Sequence, residues 1–332
     1  MKILVTGGLG FIGSHTVVEL LNNQHEVVIV DNLCNSKIEV LDKIEKITNQ
    51  RPAFYQMDLL QMGDLRKVFA EHKFDGVIHF AGLKAVAESV RKPLEYYENN
   101  LVSTLNLLKC MKENGVSSIV FSSSACVYGQ PDVNPIDETF NCHNATNPYG
   151  RTKSFIEDIL KDIYFADNSY KITILRYFNP IGAHKSGLLG EDPNGIPNNL
   201  MPIMLKVAEG KSDILHIYGK DYKTVDGTCV RDFIHVVDLA IGHVKAIERI
   251  VESGVHIFNL GTGKGTSVLE LVTSFNKVNG KLINYDFEDR RPGDVPENYA
   301  NTTRAKEILG WETIHTIDDM CRDSWNFSKK KK

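Results

Sequence analysis

The chain contains 332 residues, of which 42% are hydrophobic, and its formal net charge is -4. This length is enough for a sizeable core in one large domain or two linked ones, and the slight acidity argues against a general nucleic-acid binder. No apolar stretch approaches the roughly 20 residues that a membrane-spanning helix requires, so we expect neither a membrane nor a nucleic acid as a partner.

The cysteine and histidine spacings point away from disulfides and metals. The six cysteines are scattered and never form a Cys-x-x-Cys pair, and the eleven histidines show no ligand spacing with a cysteine or a second histidine. In a chain of this length we interpret the cysteines as reduced thiols of a cytoplasmic protein. We expect no metal site, and we expect the four lysines at 329–332 to form a solvated, disordered tail.

Short runs of β-branched and apolar residues alternate with stretches of helical periodicity along the chain. Most of these runs are continuously apolar, which is typical of strands that are covered on both faces. The predicted strands are 2–6, 26–31, 53–57, 76–80, 118–122, 172–176 and 257–260. The predicted helices are 14–22, 101–113, 154–165 and 232–249. This alternation predicts an α/β fold, a Rossmann-type doubly wound parallel sheet.

The alternation breaks after the sixth predicted strand. Residues 180–227 are rich in Gly, Pro, Asn and Asp, and the chain after Gly261 again has the pattern of a smaller mixed unit. Such a change in composition favours a second domain. We therefore predict a sheet-forming domain of residues 1–180 and 233–261, and a smaller α/β domain of residues 181–232 and 262–332.

A glycine-rich turn follows the first predicted strand. Gly7, Gly10 and Gly13 stand where glycines allow a tight turn and the close approach of a pyrophosphate to a helix N-terminus. The second predicted strand ends in Asp31, whose carboxylate can accept hydrogen bonds from both ribose hydroxyls and would repel a 2′-phosphate. The pattern predicts a dinucleotide site that takes NAD rather than NADP.

Three more polar residues lie near the ends of predicted strands and helices. Asp58 closes the third strand, where it could contact an adenine, although capping the next helix explains it equally well. Lys84 follows the fourth strand and could reach a phosphate or be a surface cation. Asn99 could cap a helix or hold a backbone turn.

Tyr149 and Lys153 are four residues apart, which places them on one face of a helix. At roughly 6 Å and an effective dielectric constant of about 20, one ammonium stabilises a phenolate by about 3 kcal/mol, or roughly two pKa units. From a phenol pKa of about 10 this falls short of pH 7, so a second positive charge is needed, which an oxidised nicotinamide would supply. With Ser122, Ser123 and Ser124 upstream, the pair predicts an acid/base for moving hydride on and off a carbon that bears a hydroxyl.

These motifs together resemble the extended short-chain dehydrogenase/reductase family and, within it, the nucleotide-sugar 4-epimerases. The resemblance runs from Met1 to about Trp325. It implies that Tyr149 is the acid/base at the sugar O4, that Lys153 binds the nicotinamide ribose, and that Ser124 hydrogen-bonds the same hydroxyl. The residues that it places around NAD are Gly7, Gly10, Phe11, Ile12, Gly13, Asp31, Asn32, Asn35, Asp58, Leu59, Phe80, Ala81, Gly82, Lys84, Asn99, Ser122, Tyr149, Lys153 and Tyr177. The residues that it places around a UDP-sugar are Ser124, Tyr149, Asn179, Asn199, Leu200, Tyr218, Arg231, Arg291, Asp294 and Asn298.

The resemblance also implies a reaction through transient oxidation. Tyr149 would remove the proton of the C4 hydroxyl while a hydride passes from C4 to NAD, giving a 4-keto sugar and NADH. The hexose would then turn and take the hydride back on its other face, which interconverts UDP-galactose and UDP-glucose. The family usually forms homodimers through helices of the nucleotide domain, here around residues 101–113 and 154–165.

Two alternative functions stay open. A nucleotide-sugar 4,6-dehydratase needs a further acid and base, and where such relatives have an Asp-Glu pair this chain has Ala125 and Cys126. A non-catalytic NAD-binding sensor would have no need for the set of Ser124, Tyr149 and Lys153. The intact set favours the epimerase over both.

Asn298 bears on the choice of sugar. It matches a position that is a large Tyr in similar epimerases restricted to glucose and galactose, and a small residue such as Cys in those that also accept N-acetylhexosamines. Because Asn is intermediate in size, we predict that UDP-N-acetylglucosamine is accepted in part or in full.

Overall fold

The computed structural model of the protein describes residues 1–195, 197, 199–291 and 294–331. The strands are β1 (Lys2–Thr6), β2 (Glu26–Asp31), β3 (Ala53–Gln56), β4 (Gly76–His79), β5 (Ser118–Ser122), β6 (Lys171–Tyr177), β7 (Asn179–Ile181), β8 (Leu215–Tyr218), β9 (Val230–Arg231), β10 (Phe233–His235), β11 (Gly254–Leu260), β12 (Thr266–Ser267), β13 (Tyr285–Glu288) and β14 (Glu297–Asn298). The helices are α1 (Phe11–Asn22), α2 (Glu39–Thr48), α3 (Met62–Glu71), α4 (Val86–Arg91), α5 (Pro93–Tyr97), α6 (Ser103–Glu113), α7 (Pro148–Ala166), α8 (Leu200–Ala208), α9 (Val236–Arg249), α10 (Val268–Asn279), α11 (Thr303–Leu309) and α12 (Ile317–Lys330).

A parallel sheet of seven strands, in the order β11-β6-β5-β4-β1-β2-β3, forms the centre of the protein. The seven strands predicted from the sequence are the ones that build it, and the predicted fold class is confirmed. Only the ends differ, since β11 begins at Gly254 rather than at residue 257. The chain moves outward from β1 to β3 and then returns to place β4 on the other side of β1, so the strand order reverses between β1 and β4.

Helices cover both faces of this sheet, and the side chains of the first strand show why. Ile3 and Val5 belong to a buried cluster with residues of α1, α2 and α9, whereas Leu4 belongs to a second cluster with residues of α3, α6 and α7. Successive side chains of a strand point to opposite faces. A continuous apolar strand therefore fills two cores at once.

The remaining strands form three small sheets, in the orders β10-β7, β12-β9-β14 and β13-β8. A third buried cluster joins α8, α10 and α12 to the sheet of β8 and β13, with Phe275, Met204 and Met320 at its centre. The predicted boundaries at residues 180, 232 and 261 stay a prediction.

Two predictions from the sequence are wrong. Residues 233–235 were expected to be helical, but Phe233–His235 forms β10 and pairs in parallel with β7, so that helix α9 begins only at Val236. For this apolar, partly β-branched run, pairing with β7 is more favourable than extending the helix. The terminal lysines were expected to be disordered, yet α12 extends to Lys330 and the Lys331 ammonium contacts the carboxylate of Asp192. Lys332 lies outside the described residues.

Candidate active site

A cleft of about 660 Å³ opens at the carboxyl ends of the parallel strands, next to the point where the strand order reverses. Open α/β sheets bind ligands at this position because the loops on either side diverge there. The two strands at the reversal are tied together by Thr6, whose Oγ1 lies 2.7 Å from Nδ1 of His79. His79 Nε2 lies 2.9 Å from the hydroxyl of Thr104, so a buried polar network joins β1, β4 and α6.

In the glycine-rich segment from the end of β1 into α1, Gly7 and Gly13 have no room for a side chain. Gly7 has a φ of +70°, and a Cβ atom on it would lie 2.8 Å from the backbone nitrogen of Ala81. A Cβ atom on Gly13 would lie 2.2 Å from the carbonyl oxygen of Gly7. The first turn of α1 carries no acidic residue and no side-chain cap. The turn therefore leaves backbone N–H groups at a helix N-terminus open to an anion such as a pyrophosphate.

Asp31 ends β2 and holds the loops around the glycine-rich turn. One carboxylate oxygen accepts a hydrogen bond from the Leu9 amide at 3.0 Å, and the other accepts from Leu33 and from the Ser36 hydroxyl at 2.9 and 2.8 Å. The carboxylate lies at the edge of the cleft, where a ribose of a dinucleotide would be recognised. The residues present thus fit the predicted NAD.

The cleft brings together every residue that the sequence led us to expect around NAD. These nineteen residues are Gly7, Gly10, Phe11, Ile12, Gly13, Asp31, Asn32, Asn35, Asp58, Leu59, Phe80, Ala81, Gly82, Lys84, Asn99, Ser122, Tyr149, Lys153 and Tyr177. They come from eight separate segments of the chain and line one cleft, whereas their roles in binding stay a prediction.

Tyr149 and Lys153 lie in the first two turns of α7, at the inner end of the cleft. The helix begins at Pro148, and the side-chain oxygen of Asn147 caps it by accepting a hydrogen bond from the Gly150 amide at 2.9 Å. Lys153 Nζ lies 5.9 Å from the centre of the Tyr149 ring and donates a hydrogen bond to the Ser122 carbonyl oxygen at 2.7 Å. A phenol, an ammonium and the end of β5 therefore meet at one point.

Burial governs the protonation of this pair. It raises the pKa of Tyr149 well above the ordinary value of 10.0, while a hydrogen bond with the Ser124 side chain acts in the opposite direction. Burial also lowers the pKa of Lys153 to about 8, and the nearby carboxylate of Glu157 opposes this shift. Burial of the phenol therefore opposes the lowering of the Tyr149 pKa that is expected from Lys153 and a bound nicotinamide, and that lowering stays a prediction.

The residues predicted to bind a UDP-sugar fall into two groups. Ser124, Asn179 and Asn199 line the cleft together with Tyr149. Leu200, at the first position of α8, does not line it.

The second group gathers around one carboxylate outside the cleft lining. Arg291 Nε donates a hydrogen bond to Asp294 Oδ2 at 2.9 Å, and Arg231 Nη2 lies 3.7 Å from Asp294 Oδ1. The Arg291 guanidinium stacks on Tyr218, 4.7 Å from the ring centre. Asn298 is paired with Arg231 across β14 and β9. Two guanidinium groups beside an exposed aromatic ring form a surface suited to a diphosphate and a base.

A buried ion pair behind the catalytic candidates was not predicted. Arg176 Nη2 lies 2.5 Å from Glu157 Oε2, Arg176 Nε donates to Glu157 Oε1 at 3.0 Å, and both side chains are almost fully buried. The Ser123 hydroxyl donates to the same carboxylate at 2.6 Å. The pair thus joins β6, β5 and α7 under Ser124 and Lys153. The only sequence signal for it is the position of Glu157 one turn after Lys153.

Asn100 is a second residue that sequence reasoning missed. Its Oδ1 accepts a hydrogen bond from the Leu83 amide at 2.8 Å, and its Nδ2 donates to the Leu83 carbonyl and to the Thr152 hydroxyl, both at 3.0 Å. This side chain anchors the loop after β4, which carries Lys84, to the helix that carries Tyr149. An adjacent pair of asparagines gives no hint from the sequence as to which one faces inward.

The positions that a dehydratase would use hold no acid or base. Ala125 and Cys126 form a short 3₁₀ turn directly after Ser124, and Cys126 lines the cleft. Burial raises the pKa of the Cys126 thiol, so it stays protonated near pH 7. Elimination of water from a sugar needs a proton acceptor at this place, and neither side chain supplies one.

Among the residues that the structure describes, no group of His, Cys, Asp and Glu side chains has the geometry to hold a metal ion. In the same part of the chain, no helix combines the length and the apolar character needed to cross a bilayer.

Comparisons with known proteins agree with this geometry. The sequence model of the family described as GDP-mannose 4,6 dehydratase matches residues 4–324. The chain is 56% identical over 328 residues to a UDP-glucose 4-epimerase of Bacillus subtilis (strain 168), covering 98% of this chain and 96% of that protein. A crystal structure of UDP-glucose 4-epimerase from Bifidobacterium longum in complex with NAD+ and UDP is 53% identical, with a TM-score of 0.96 over 99% of this chain and 98% of that one.

A more distant structure extends the range of sugars among similar proteins. The UDP-Glc/GlcNAc 4-epimerase of Campylobacter jejuni is 35% identical, with a TM-score of 0.87 and coverage of 99% of both chains. The resemblance found in the sequence is thus confirmed over nearly its full length. The chain belongs to the UDP-glucose 4-epimerases, within the wider family that the GDP-mannose 4,6 dehydratase model describes.

Proposed function

We propose that the protein is an NAD-dependent isomerase that interconverts UDP-galactose and UDP-glucose. One observation carries this proposal above the others: Tyr149 lines the same cleft as Lys153 and Ser124, and this cleft also contains a glycine-rich turn in which Gly7 and Gly13 have no space for a side chain. A binding protein or sensor has no use for a phenol held in this way. The family to which the chain belongs supports the same activity.

In this proposal, NAD would be held at the glycine-rich turn and at Asp31, and it would supply the acceptor and the donor of the C4 hydride. Tyr149 takes the proton of the C4 hydroxyl and gives it back, and the Ser124 hydroxyl holds the same oxygen. Lys153 stabilises the charge on Tyr149. Ser122 keeps the Lys153 ammonium in place through the hydrogen bond to its carbonyl oxygen, at 2.7 Å.

Inversion at C4 requires that the nucleotide be held firmly while the hexose is free to turn. We propose that Arg231, Arg291, Tyr218 and Asp294 hold the nucleotide. Their chemistry supports this, because forked guanidinium groups bind diphosphates and an exposed aromatic ring can stack on uracil. If the nucleotide is bound tightly and the sugar ring makes few contacts, the ring can rotate between the two hydride transfers.

The test is conversion of UDP-galactose to UDP-glucose by the purified protein. Tyr149→Phe should retain NAD, because the glycine-rich turn and Asp31 are unchanged, but turnover should fall by about 10²–10⁴-fold. Nucleotide released on denaturation reports the bound NAD for both proteins. Absence of UDP-glucose formation by the unmodified protein would refute the proposal, and near-normal turnover of Tyr149→Phe would reject Tyr149 as the acid/base.

We also propose that UDP-N-acetylglucosamine is a substrate. Asn298 is only partly buried and smaller than the Tyr expected in a restricted enzyme, and a similar enzyme from Campylobacter jejuni is described as acting on both UDP-Glc and UDP-GlcNAc. Turnover of the acetylated sugar should fall in Asn298→Tyr while turnover of UDP-galactose is retained. Equal rejection of the acetylated sugar by both proteins would contradict this.

We propose that two copies of the chain associate through α5, α6 and α7. Leu94, Leu105 and Phe155 on these helices are exposed by 80%, 38% and 46%, and Phe155 stacks on Tyr97 at 6.0 Å between ring centres. Exposed apolar groups on adjacent helices favour a protein interface. Sedimentation equilibrium should give a dimer for the unmodified chain and a monomer for Phe155→Lys; a monomer for both would reject the interface.

The cellular compartment and the domain division complete the proposal. We propose that the enzyme works in the cytoplasm, which the six free thiols support, Cys34 being exposed. We also propose that residues 1–180 and 233–261 bind NAD and that residues 181–232 and 262–332 bind the UDP-sugar, because the two ligands' predicted residues divide largely along these lines.

A further inference from the structure

Glu191 lies between the two predicted ligand sites, and no role has been given to it above. Its side chain is 8% exposed and lines the cleft. The same oxygen, Oε1, lies 3.3 Å from the Lys84 ammonium and accepts a hydrogen bond from Asn199 Nδ2 at 2.6 Å. Lys84 is expected to bind the cofactor and Asn199 the UDP-sugar, so one carboxylate oxygen connects a donor from each site.

The other oxygen of Glu191 has no partner of its own. Oε2 is buried, and within the described part of the chain no donor lies within hydrogen-bonding distance of it. Buried carboxylate oxygens in folded proteins nearly always have a partner. A side chain held in such a place without a full set of partners is typical of a functional site rather than of a structural support.

The backbone around Glu191 has anchors other than Glu191. The neighbouring Asp192 is bound to Lys37 at 2.6 Å and also contacts Lys331. Asn194 donates from its backbone to the side chain of Asn35 at 3.1 Å. These contacts join the segment to the loop after β2 and to the C-terminal end of α12. Glu191 itself contacts only Lys84 and Asn199 through hydrogen bonds of its side chain, among the residues that the structure describes.

We propose that Glu191 is a positioning residue that orders the Lys84 ammonium and the Asn199 amide before either ligand binds. The inference rests on the proposed function, since it assigns Lys84 to NAD and Asn199 to the nucleotide-sugar. A long lysine side chain and an amide that are already oriented lose less conformational freedom on binding. Because the Lys84 ammonium and the Asn199 amide contact the same oxygen of Glu191, the two ligand sites are ordered together.

The first test compares Glu191→Gln with the unmodified holoenzyme and with Asp192→Asn. Glu191→Gln keeps the size of the side chain but removes the charge. We expect a roughly tenfold weaker binding of UDP by calorimetry and a roughly tenfold faster release of NAD, because the negative charge that strengthens both hydrogen bonds of Oε1 is lost. For turnover of UDP-galactose, KM should rise while kcat stays within about twofold, because the groups that act on C4 are not touched.

The second test asks whether Glu191 acts through its two partners. In a Lys84→Met background, Glu191→Gln should no longer change NAD release, and in an Asn199→Ala background it should no longer change UDP affinity. Asp192 contacts Lys37 and Lys331 rather than Lys84 or Asn199, so any change that Asp192→Asn makes in NAD release or UDP affinity should have the same size in both backgrounds as in the unmodified chain. Wild-type UDP affinity and NAD release in Glu191→Gln, or effects that persist undiminished in both backgrounds, would overturn the proposal.

These readouts separate this proposal from the proposed function. UDP affinity and NAD release are measured without turnover, so they report on Glu191 even if the unmodified protein fails to convert UDP-galactose. Absence of turnover with intact partner-dependent effects would refute the epimerase and retain the positioning role. Normal turnover of the unmodified protein, with no effect of Glu191→Gln on UDP affinity or NAD release, would support the epimerase and refute the positioning role.

Discussion

Replacement of Glu157 by Gln should destabilise the protein strongly, because it leaves a guanidinium buried without its counter-charge. Arg176 and Glu157 have side-chain exposures of 2% and 0% and are joined by two parallel contacts. Burial opposes the charge on Arg176, but the Glu157 carboxylate outweighs it and keeps the pKa of Arg176 above its ordinary value. Breaking such a pair from one side costs about 3–5 kcal/mol, out of a total of about 5–15 kcal/mol for a folded protein.

The assay is urea-induced unfolding followed by circular dichroism. The midpoint for Glu157→Gln should fall at an unchanged slope, which reports a loss of stability rather than a change in compactness. Replacing both partners by apolar residues, Glu157→Leu with Arg176→Met, should recover most of the loss, because no unpaired charge remains. Glu113→Gln breaks the exposed pair with Arg66 and serves as the control; its midpoint should barely move. A single variant as stable as the unmodified protein, or a double variant no better than the single one, would refute this reasoning.

Three further predictions concern groups in or near the cleft. His15 and His79 are buried with pKa values of about 3, so the stability that they contribute is complete above about pH 6.5 and is lost as the pH falls toward 3. Because each histidine takes up a proton only on unfolding, it should lower the unfolding free energy by about 2 kcal/mol between pH 7 and pH 5. In urea titrations, the unfolding free energy of His79→Gln should depend less on pH than that of the unmodified protein, and an unchanged pH dependence would contradict this. Gly13→Ala should abolish NAD retention, since its Cβ would lie 2.2 Å from a backbone oxygen; full NAD content in the purified variant would show that the turn can adjust. Lys153 has a pKa lowered to about 8 by burial, so its charge is costly near pH 7. Lys153→Met should therefore stop turnover while raising the free energy of unfolding by about 1–3 kcal/mol. A variant less stable than the unmodified protein would contradict the premise that the charge on Lys153 costs stability.

The fold could be read from the sequence because local patterns determine most of it. The seven runs of β-branched and apolar residues became the seven strands of the central sheet. The glycine-rich turn could be placed for a similar reason, since close approach of backbones allows only glycine at Gly7 and Gly13. Errors arose where local spacing and tertiary pairing compete, as at β10, whose residues have helical spacing but gain more from pairing with β7.

The parts of the site that escaped prediction are contacts between residues far apart in the chain. Glu191 meets Lys84 across 107 residues, and Lys331 reaches Asp192 across 139. No spacing rule links such positions, and charged residues in a loop or a terminal run are ordinarily solvated. The Arg176–Glu157 pair is of the same kind, because a charged residue inside an apolar strand does not reveal which carboxylate will neutralise it.

Burial acts on the two catalytic candidates in a way that bears on when the site becomes reactive. It raises the pKa of Tyr149 and lowers that of Lys153, so both groups are driven toward their neutral forms. Desolvation alone has this effect on any acid or base. The reactive state, a phenolate beside an ammonium, is therefore favoured only when further charge enters the cleft. A cationic ring near the phenol favours its ionised form, and phosphates of the bound nucleotides favour the protonated amine. The same walls that exclude water thus disfavour ionisation of Tyr149, and the proposed role of Tyr149 as the acid/base requires that the charges of the bound ligands offset this effect.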